Sequence, residues 1–357
     1  MKKIIAVLPG DGIGPEVIQQ AIKTLKVIAN IFNHSFHYIF GPVGGNAIDK
    51  YGSPLPPETI SLVKKSDAVL LGAVGGPKWD YVPVGNGPDQ GVLRLRKVLK
   101  VFANLRPVKT YSSLCNLSVI KKEIVEGTDI LFVRELTGGI YFGSPRGRRN
   151  KGDSAIDTSK YSKEEITRIA KVAFNLALTR SKKVTSVDKA NALETSRLWR
   201  ETVIGIGKKF PTIQLDHLYV DNAAMQIMKN PKNFDVILTD NMFGDILTDE
   251  AAVLSASIGL LPSASIGNTH PYLYEPIHGS APKYAGQNKV NPIGTILSAA
   301  MMLRISFKLE KEAQIIEQGV ENTIKDGYRT ADIADKNTPK KKILGTNEMG
   351  DKIAENV

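Results

Sequence analysis

In the stretch FDVILTDNMFGDILTDEAAVLSASIGLLPSAS, residues 234–265, an apolar run passes through a glycine into a helical pattern. Asp245 and Asp249 stand four residues apart there, so on a helix both carboxylates project from one face. A plainer reading competes, because acids early in a helix also complement its dipole. Asp221, closing the predicted strand in HLYVDNAAMQ, is a third carboxylate at an element end. With Cys115 the only cysteine, three such groups would make a hard oxygen site suited to Mg²⁺ or Mn²⁺ rather than zinc.

Arginines supply the opposite charge. Arg96 and Arg106 lie ten residues apart in LRLRKVLKVFANLRPV, with Pro107 marking where a helix is expected to stop, and Arg134 follows the apolar run DILFV. Any one of them reads equally well as a surface arginine. Together, beside three aspartates, they suit a clamp for a dicarboxylate whose hydroxyl also reaches the metal. Lys189, just after a predicted strand in TSVDKANAL, is either a base or a paired cation. Tyr141 in GGIYFG is either a core tyrosine needing one partner or an acid facing a substrate carbon.

The elements that must position these groups alternate along the chain. Short Ile- and Val-rich runs such as KKIIAVLPG, DAVLLGAV and DILFVREL are separated by amphipathic stretches such as GPEVIQQAIKTLKVIANIF and SKEEITRIAKVAFNLALTR, which predicts an α/β sheet protein. The 357 residues, 42% of them hydrophobic, suggest about two domains. The apolar run at the start ends at Pro9 and Gly10, too short for a signal peptide, and no later run approaches a membrane span; a cytoplasmic protein is expected. The formal charge of +11 raises nucleic acid as a partner. Against that, RGRRNK at 146–151 and KKK at 340–342 lack interleaved aromatics that could stack on bases, so neither nucleic acid nor membrane is expected.

Two glycine-rich places invite a ligand. LPGDGIGPEV sets Gly10, Gly12 and Gly14 at a spacing that misses the dinucleotide fingerprint, and no acid ends the following strand. HGSAPKYAGQNKVNP, residues 278–292, has neither helix nor strand periodicity. It reads either as a basic solvated turn or as a loop whose backbone approaches a polar ligand.

The motifs LPGDGIGPEV, GGPKWD, FANLRP, VRELTGGIYFG, SVDKANALETSRLWRE, FGDILTDEAA, EPIHGSAP and NEMGDKIAENV follow one another from end to end, and in this order the chain resembles the isopropylmalate branch of the β-decarboxylating dehydrogenases. The resemblance implies a two-domain, non-Rossmann α/β fold with the active-site cleft between domains. Residues 1–101 and 256–357 would form a discontinuous cofactor-binding domain, and 102–255 a second domain for substrate, metal and dimer contact. It implies oxidative decarboxylation of 3-isopropylmalate with reduction of NAD⁺, a step of leucine biosynthesis, in a homodimer. Arg96, Arg106 and Arg134 would bind the malate carboxylates, and Asp221, Asp245 and Asp249 the divalent cation. Tyr141 would protonate the carbanion, and Lys189 and Asp221 would reach across the dimer interface. A sibling activity on isocitrate or tartrate is the alternative.

The same resemblance places Val92 and Leu93 in the substrate side-chain pocket, where an apolar pair suits an isopropyl group. It assigns cofactor contact to Gly76, Pro77, Lys78, Trp79 and Asp89 in the 76–89 segment. It assigns the same to Gly279, Ser280, Ala281, Pro282, Lys283, Tyr284, Ala285, Gly286 and Asn291 in the later loop. Lys283 and Tyr284 stand where the NAD-dependent branch carries an acid and an aliphatic residue, so NADP⁺ use is the alternative to NAD⁺.

Overall fold

The fold was obtained as a computed structural model that describes residues 1–83 and 85–357; Val84, inside the 76–89 segment, lies outside the described residues. The chain divides into two compact units, Met1–Val101 with Tyr111–Leu117 and Ser255–Val357, and Phe102–Thr110 with Ser118–Leu254. Relative to the expected boundaries, 111–117 and Ser255 move to the first unit. The short 3-10 helix Ser112–Leu117 leans on the first unit's C-terminal half, where Arg329 donates to the Ser113 carbonyl at 3.2 Å.

The first unit carries five strands in the order Ser35–Phe40, Lys2–Gly10, Ala68–Ala73, Tyr272–Pro276, Pro262–Gly267. All neighbours are parallel except the last pair. The apolar helix Ile293–Ile305 is buried at every residue from Ile293 to Leu303, as a helix with no polar face must be. The glycine turn after Lys2–Gly10 is closed by the chain itself. A Cβ at Gly12 would fall 2.1 Å from the Ser280 carbonyl oxygen, and Ile13 N–H donates to that oxygen at 2.9 Å. Asp11 accepts from the Gly45, Asn46 and Gly75 amides. A turn packed on its own backbone cannot also cradle a pyrophosphate, so the non-Rossmann expectation has a direct steric cause.

The second unit orders its strands as 101–109, 129–135, 236–239, 183–188, 214–219, with only the first pair antiparallel. Helix Lys163–Ala177 starts at a reciprocal cap between Ser162 and Glu165. Two expected element ends differ. Helix Pro88–Leu99 stops at Lys100 in the left-handed region, well before Pro107, so Arg106 sits inside a strand. The strand before Asp221 ends at Tyr219, whose extended backbone caps helix Val220–Lys229, so Asp221 lies in the first turn of a helix.

Candidate functional site

In the second unit, helix Asn241–Ala252 brings the arginines and acids together. Asp240 caps it, accepting from Phe243 N–H at 2.8 Å. Gly244 lets it approach the sheet: a Cβ there would lie 2.3 Å from Thr239 Oγ1 and 2.7 Å from Arg134 Cγ. Asp245 and Asp249 share one face, as their spacing predicts. Arg134 Nη1 donates to Asp245 Oδ1, and the Tyr141 hydroxyl donates to Oδ2 at 3.2 Å. Arg106 lies 3.7 Å from Asp245 and 3.7 Å from Asp249.

Both arginines are held before any ligand arrives. Arg134 is 4% exposed and donates through Nε to the Asn241 carbonyl at 2.9 Å and through Nη2 to Asn241 Oδ1 at 2.8 Å. Arg106 donates to Asn104 Oδ1 and Thr248 Oγ1, each at 2.6 Å. Buried guanidinium groups fixed on one side offer their remaining N–H groups in a defined direction, as carboxylate recognition requires. Asn241, Asn104 and Thr248 escaped the sequence reading, since no spacing rule links them to the arginines.

The local electrostatics follow from burial. Burial, followed by the Asp245 charge, raises the Tyr141 phenol above its ordinary range, so it stays a proton donor. Burial and then Asp245 also push Asp249 up, against the pull of Arg106. Asp240 is pushed up to about 7, chiefly by burial, with Glu135 and Asp188 acting the same way. Its sign is testable. Between the ordinary carboxylate range and about 7, the folded chain keeps a proton that the unfolded chain loses, so this group's contribution to stability falls as pH rises. Asn caps a helix as well as Asp without that penalty. Asp240→Asn is therefore expected to raise Tm by about 2–4 °C near pH 8 and by much less near pH 4; an equal shift at both pH values rules out the carboxyl as the cause.

Asp221 does not join the other two aspartates within one chain. It accepts from Lys189 Nζ at 2.5 Å, and this ammonium holds its carboxyl below the usual range. Among the described residues of one chain no three His, Cys, Asp or Glu side chains converge as a metal cage. What Asp245 and Asp249 do provide is a pair of hard oxygen donors on one helix face, with Asp249 raised in the direction a bound cation would reverse. The residues present therefore fit half of a Mg²⁺ or Mn²⁺ site.

In the first unit, Arg96 donates to Glu275 at 2.8 Å through Nη2, while its Nε is buried without a hydrogen-bond partner. On the same helix Val92 is buried and Leu93 half-exposed. Arg94 is taken up by the Gly85 carbonyl and Asn86. Lys78 and Trp79 both bond Asp49, at 2.6 and 3.0 Å, so within this chain they anchor the turn that Pro77 opens. Asp89 lies near Gly75 and Ser280, and partial desolvation, then the Asp11 charge, raises its carboxyl.

The 278–292 loop is built, not slack. Ala281 takes a left-handed conformation before the 3-10 turn Pro282–Tyr284, and Gly286 another after Ala285. Glu16 accepts from the Gly286 and Asn288 amides, and Asn291 Oδ1 accepts from Ile293 N–H. Gly279, Ala281, Tyr284 and Asn291 line a cavity of about 480 Å³ with Ile13 and His278. Pro282 lies 3.9 Å from where a Gly76 Cβ would be, so the two expected cofactor segments meet. Lys283 Nζ rests 4.8 Å over the Tyr284 ring. His278, whose Nε2 is buried without a partner and whose imidazole burial keeps neutral, was missed; its place immediately before Gly279 was the available signal.

Comparison with known proteins agrees with this geometry. The model of the isocitrate/isopropylmalate dehydrogenase family matches residues 4–353. The chain is 55% identical over 355 residues to the 3-isopropylmalate dehydrogenase of Priestia megaterium, covering 99% of this chain and 95% of that one. It is 56% identical over 351 residues to the 3-isopropylmalate dehydrogenase of Geobacillus kaustophilus, covering 98% and 94%. Its fold is similar to the crystal structure of isocitrate dehydrogenase from Methylococcus capsulatus, with a TM-score of 0.87, 32% identity and 99% of both chains covered. With Arg106, Arg134, Tyr141, Asp245 and Asp249 gathered as described, the chain belongs to the isocitrate/isopropylmalate dehydrogenase family.

Proposed function

We propose that this protein oxidises and decarboxylates 3-isopropylmalate with NAD⁺, as a homodimeric cytoplasmic enzyme of leucine biosynthesis. The observation that carries the reading is the cluster in which Arg134 and Tyr141 both meet Asp245, with Arg106 beside it. Relatives bearing the 3-isopropylmalate name at 55–56% identity favour this substrate over isocitrate. Val92 and Leu93 are apolar and themselves offer nothing to bind a third carboxylate, and Arg94 is engaged by the Gly85 carbonyl and Asn86.

The residues divide the work. Arg106 and Arg134 hold one carboxylate of the substrate, and Arg96, whose Nε has no partner, takes the other. Lys189 and Asp221, a pair on the surface of one chain, act in the site of a second copy and draw off the proton of the C2 hydroxyl. A cation held by Asp245, Asp249 and the second copy's Asp221 would stabilise negative charge on the oxygen, and the nicotinamide would take the hydride. Loss of CO₂ leaves a carbanion that the Tyr141 hydroxyl protonates. Met225 and Ile246, 58% and 59% exposed on neighbouring helices of the second unit, offer an apolar surface for the second copy. No helix is long and apolar enough to cross a membrane among the described residues. Turnover of 3-isopropylmalate, but not isocitrate, with dependence on Mg²⁺ or Mn²⁺ is the decisive assay; isocitrate turnover at a higher kcat/KM overturns the substrate assignment.

Lys283 beside Tyr284 supports a second reading for the cofactor. A 2′-phosphate brings about one and a half to two negative charges, which an exposed ammonium tolerates and an aspartate repels. Lys283→Asp is expected to move the ratio of kcat/KM for NAD⁺ over NADP⁺ upward by about 5- to 30-fold. An unchanged ratio removes Lys283 from cofactor discrimination.

A further inference from the structure

We infer that Tyr161 is a positioning residue that sets the Tyr141 turn and the Asp245–Asp249 helix relative to each other; this rests on the roles proposed above. Tyr161 is buried, and its hydroxyl and ring meet Asn241 and Trp199, neither of them assigned to substrate or metal. It contacts both structures that carry the groups so assigned. Its hydroxyl oxygen accepts from the Asn241 backbone N–H at 2.9 Å, at the first residue of helix Asn241–Ala252. Its ring lies against the turn that leads to Tyr141: a Cβ at Gly138 would fall 2.5 Å from Tyr161 Cε1.

A closed loop of contacts joins these two ends. Asn241 Nδ2 donates to the Gly138 carbonyl at 3.3 Å, and Asn241 also grips Arg134 through its carbonyl and Oδ1. The ring is fixed from behind by the buried Trp199, edge-on with centroids 5.6 Å apart, and Trp199 is in turn bonded to Ser186. A shift of Tyr161 therefore moves the start of the helix, the Arg134 fork and the Tyr141 turn together. Burial keeps the phenol protonated at all working pH values, so its oxygen stays a neutral acceptor.

Tyr161→Phe keeps the ring and deletes only the acceptor. The expected result is a rise of about tenfold in KM for 3-isopropylmalate and in the Kd for Mn²⁺ measured by electron paramagnetic resonance without substrate. KM for NAD⁺ should stay within about twofold. A purely structural role instead lowers kcat through the fraction folded and leaves KM and the Mn²⁺ Kd in place. Gly138→Ala pushes on the same ring from the other side and should reproduce the pattern if Tyr161→Phe folds poorly. Rises smaller than about threefold in both quantities, in whichever variant folds, overturn the inference. Tyr141→Phe serves as the control for the underlying reading: full turnover in that variant refutes the proposed chemistry, while the Mn²⁺ measurement on Tyr161→Phe still decides the positioning role.

Discussion

Lys189→Met is expected to lower kcat by about 10²- to 10⁴-fold, the usual range for removing a positioned proton-transfer group, with little change in thermal stability. Lys189 is 30% and Asp221 63% exposed by side chain, and a solvent-screened ion pair contributes little to stability. The chemistry therefore dominates the expected effect. The pair also gives the experiment its geometry, because one chain places Lys189 on Asp221, and Asp221 does not gather with Asp245 and Asp249 into a three-acid group among the described residues. If Lys189 serves the second copy's site, mixing Lys189→Met with Tyr141→Phe restores activity: a mixed dimer holds one site with both residues intact and one with neither. After full subunit exchange of equal amounts, half the dimers are mixed, so about a quarter of wild-type activity returns. No recovery, with exchange verified, places Lys189 in the site of its own chain. A kcat within about tenfold of wild type removes it from the chemistry altogether.

What the sequence could and could not say follows from the range of the interactions. Asp245 and Asp249 were legible because a four-residue spacing fixes a helix face whatever surrounds it. The glycine spacing at residues 10–14 was legible for the same reason, and the Ser280 carbonyl packed on Gly12 gives it a steric cause. Arg106 was misplaced at a helix end because Pro107 is a helix stop, yet Pro is also tolerated in a strand where its missing N–H is not needed. The Asp221 boundary slipped by two residues because Val220, β-branched, reads as strand while it in fact opens a helix. The bonds of Lys78 and Trp79 to Asp49 were not legible, because they reach a helix 29 and 30 positions earlier. Asn241 on Arg134 and Tyr161 on Asn241 were out of reach, since each joins segments between 80 and 107 positions apart.

Replacing Arg134 should have the other large effect, and two substitutions separate its two tasks. Arg134→Leu removes the buried partner of Asp245 and empties both acceptors that Asn241 offers. Breaking such a pair typically costs about 3–5 kcal/mol when fully buried; Asp245 keeps 39% of its side-chain exposure, so about 2–3 kcal/mol is expected from denaturant unfolding. Activity should fall by about 10³-fold or more in kcat/KM, because a substrate carboxylate loses its fork and the Asp245 helix loses its tie. Arg134→Lys keeps the charge but cannot donate to Asn241 and Asp245 in one plane while facing a ligand. It should recover most of the stability and little of the activity, leaving kcat/KM about 10²-fold below wild type. That divergence is what marks a recognition group. If Arg134→Lys instead restores kcat/KM to within about threefold, the ammonium is sufficient, the fork geometry is irrelevant to substrate, and Arg134 serves only to fasten the Asn241–Ala252 helix to its sheet.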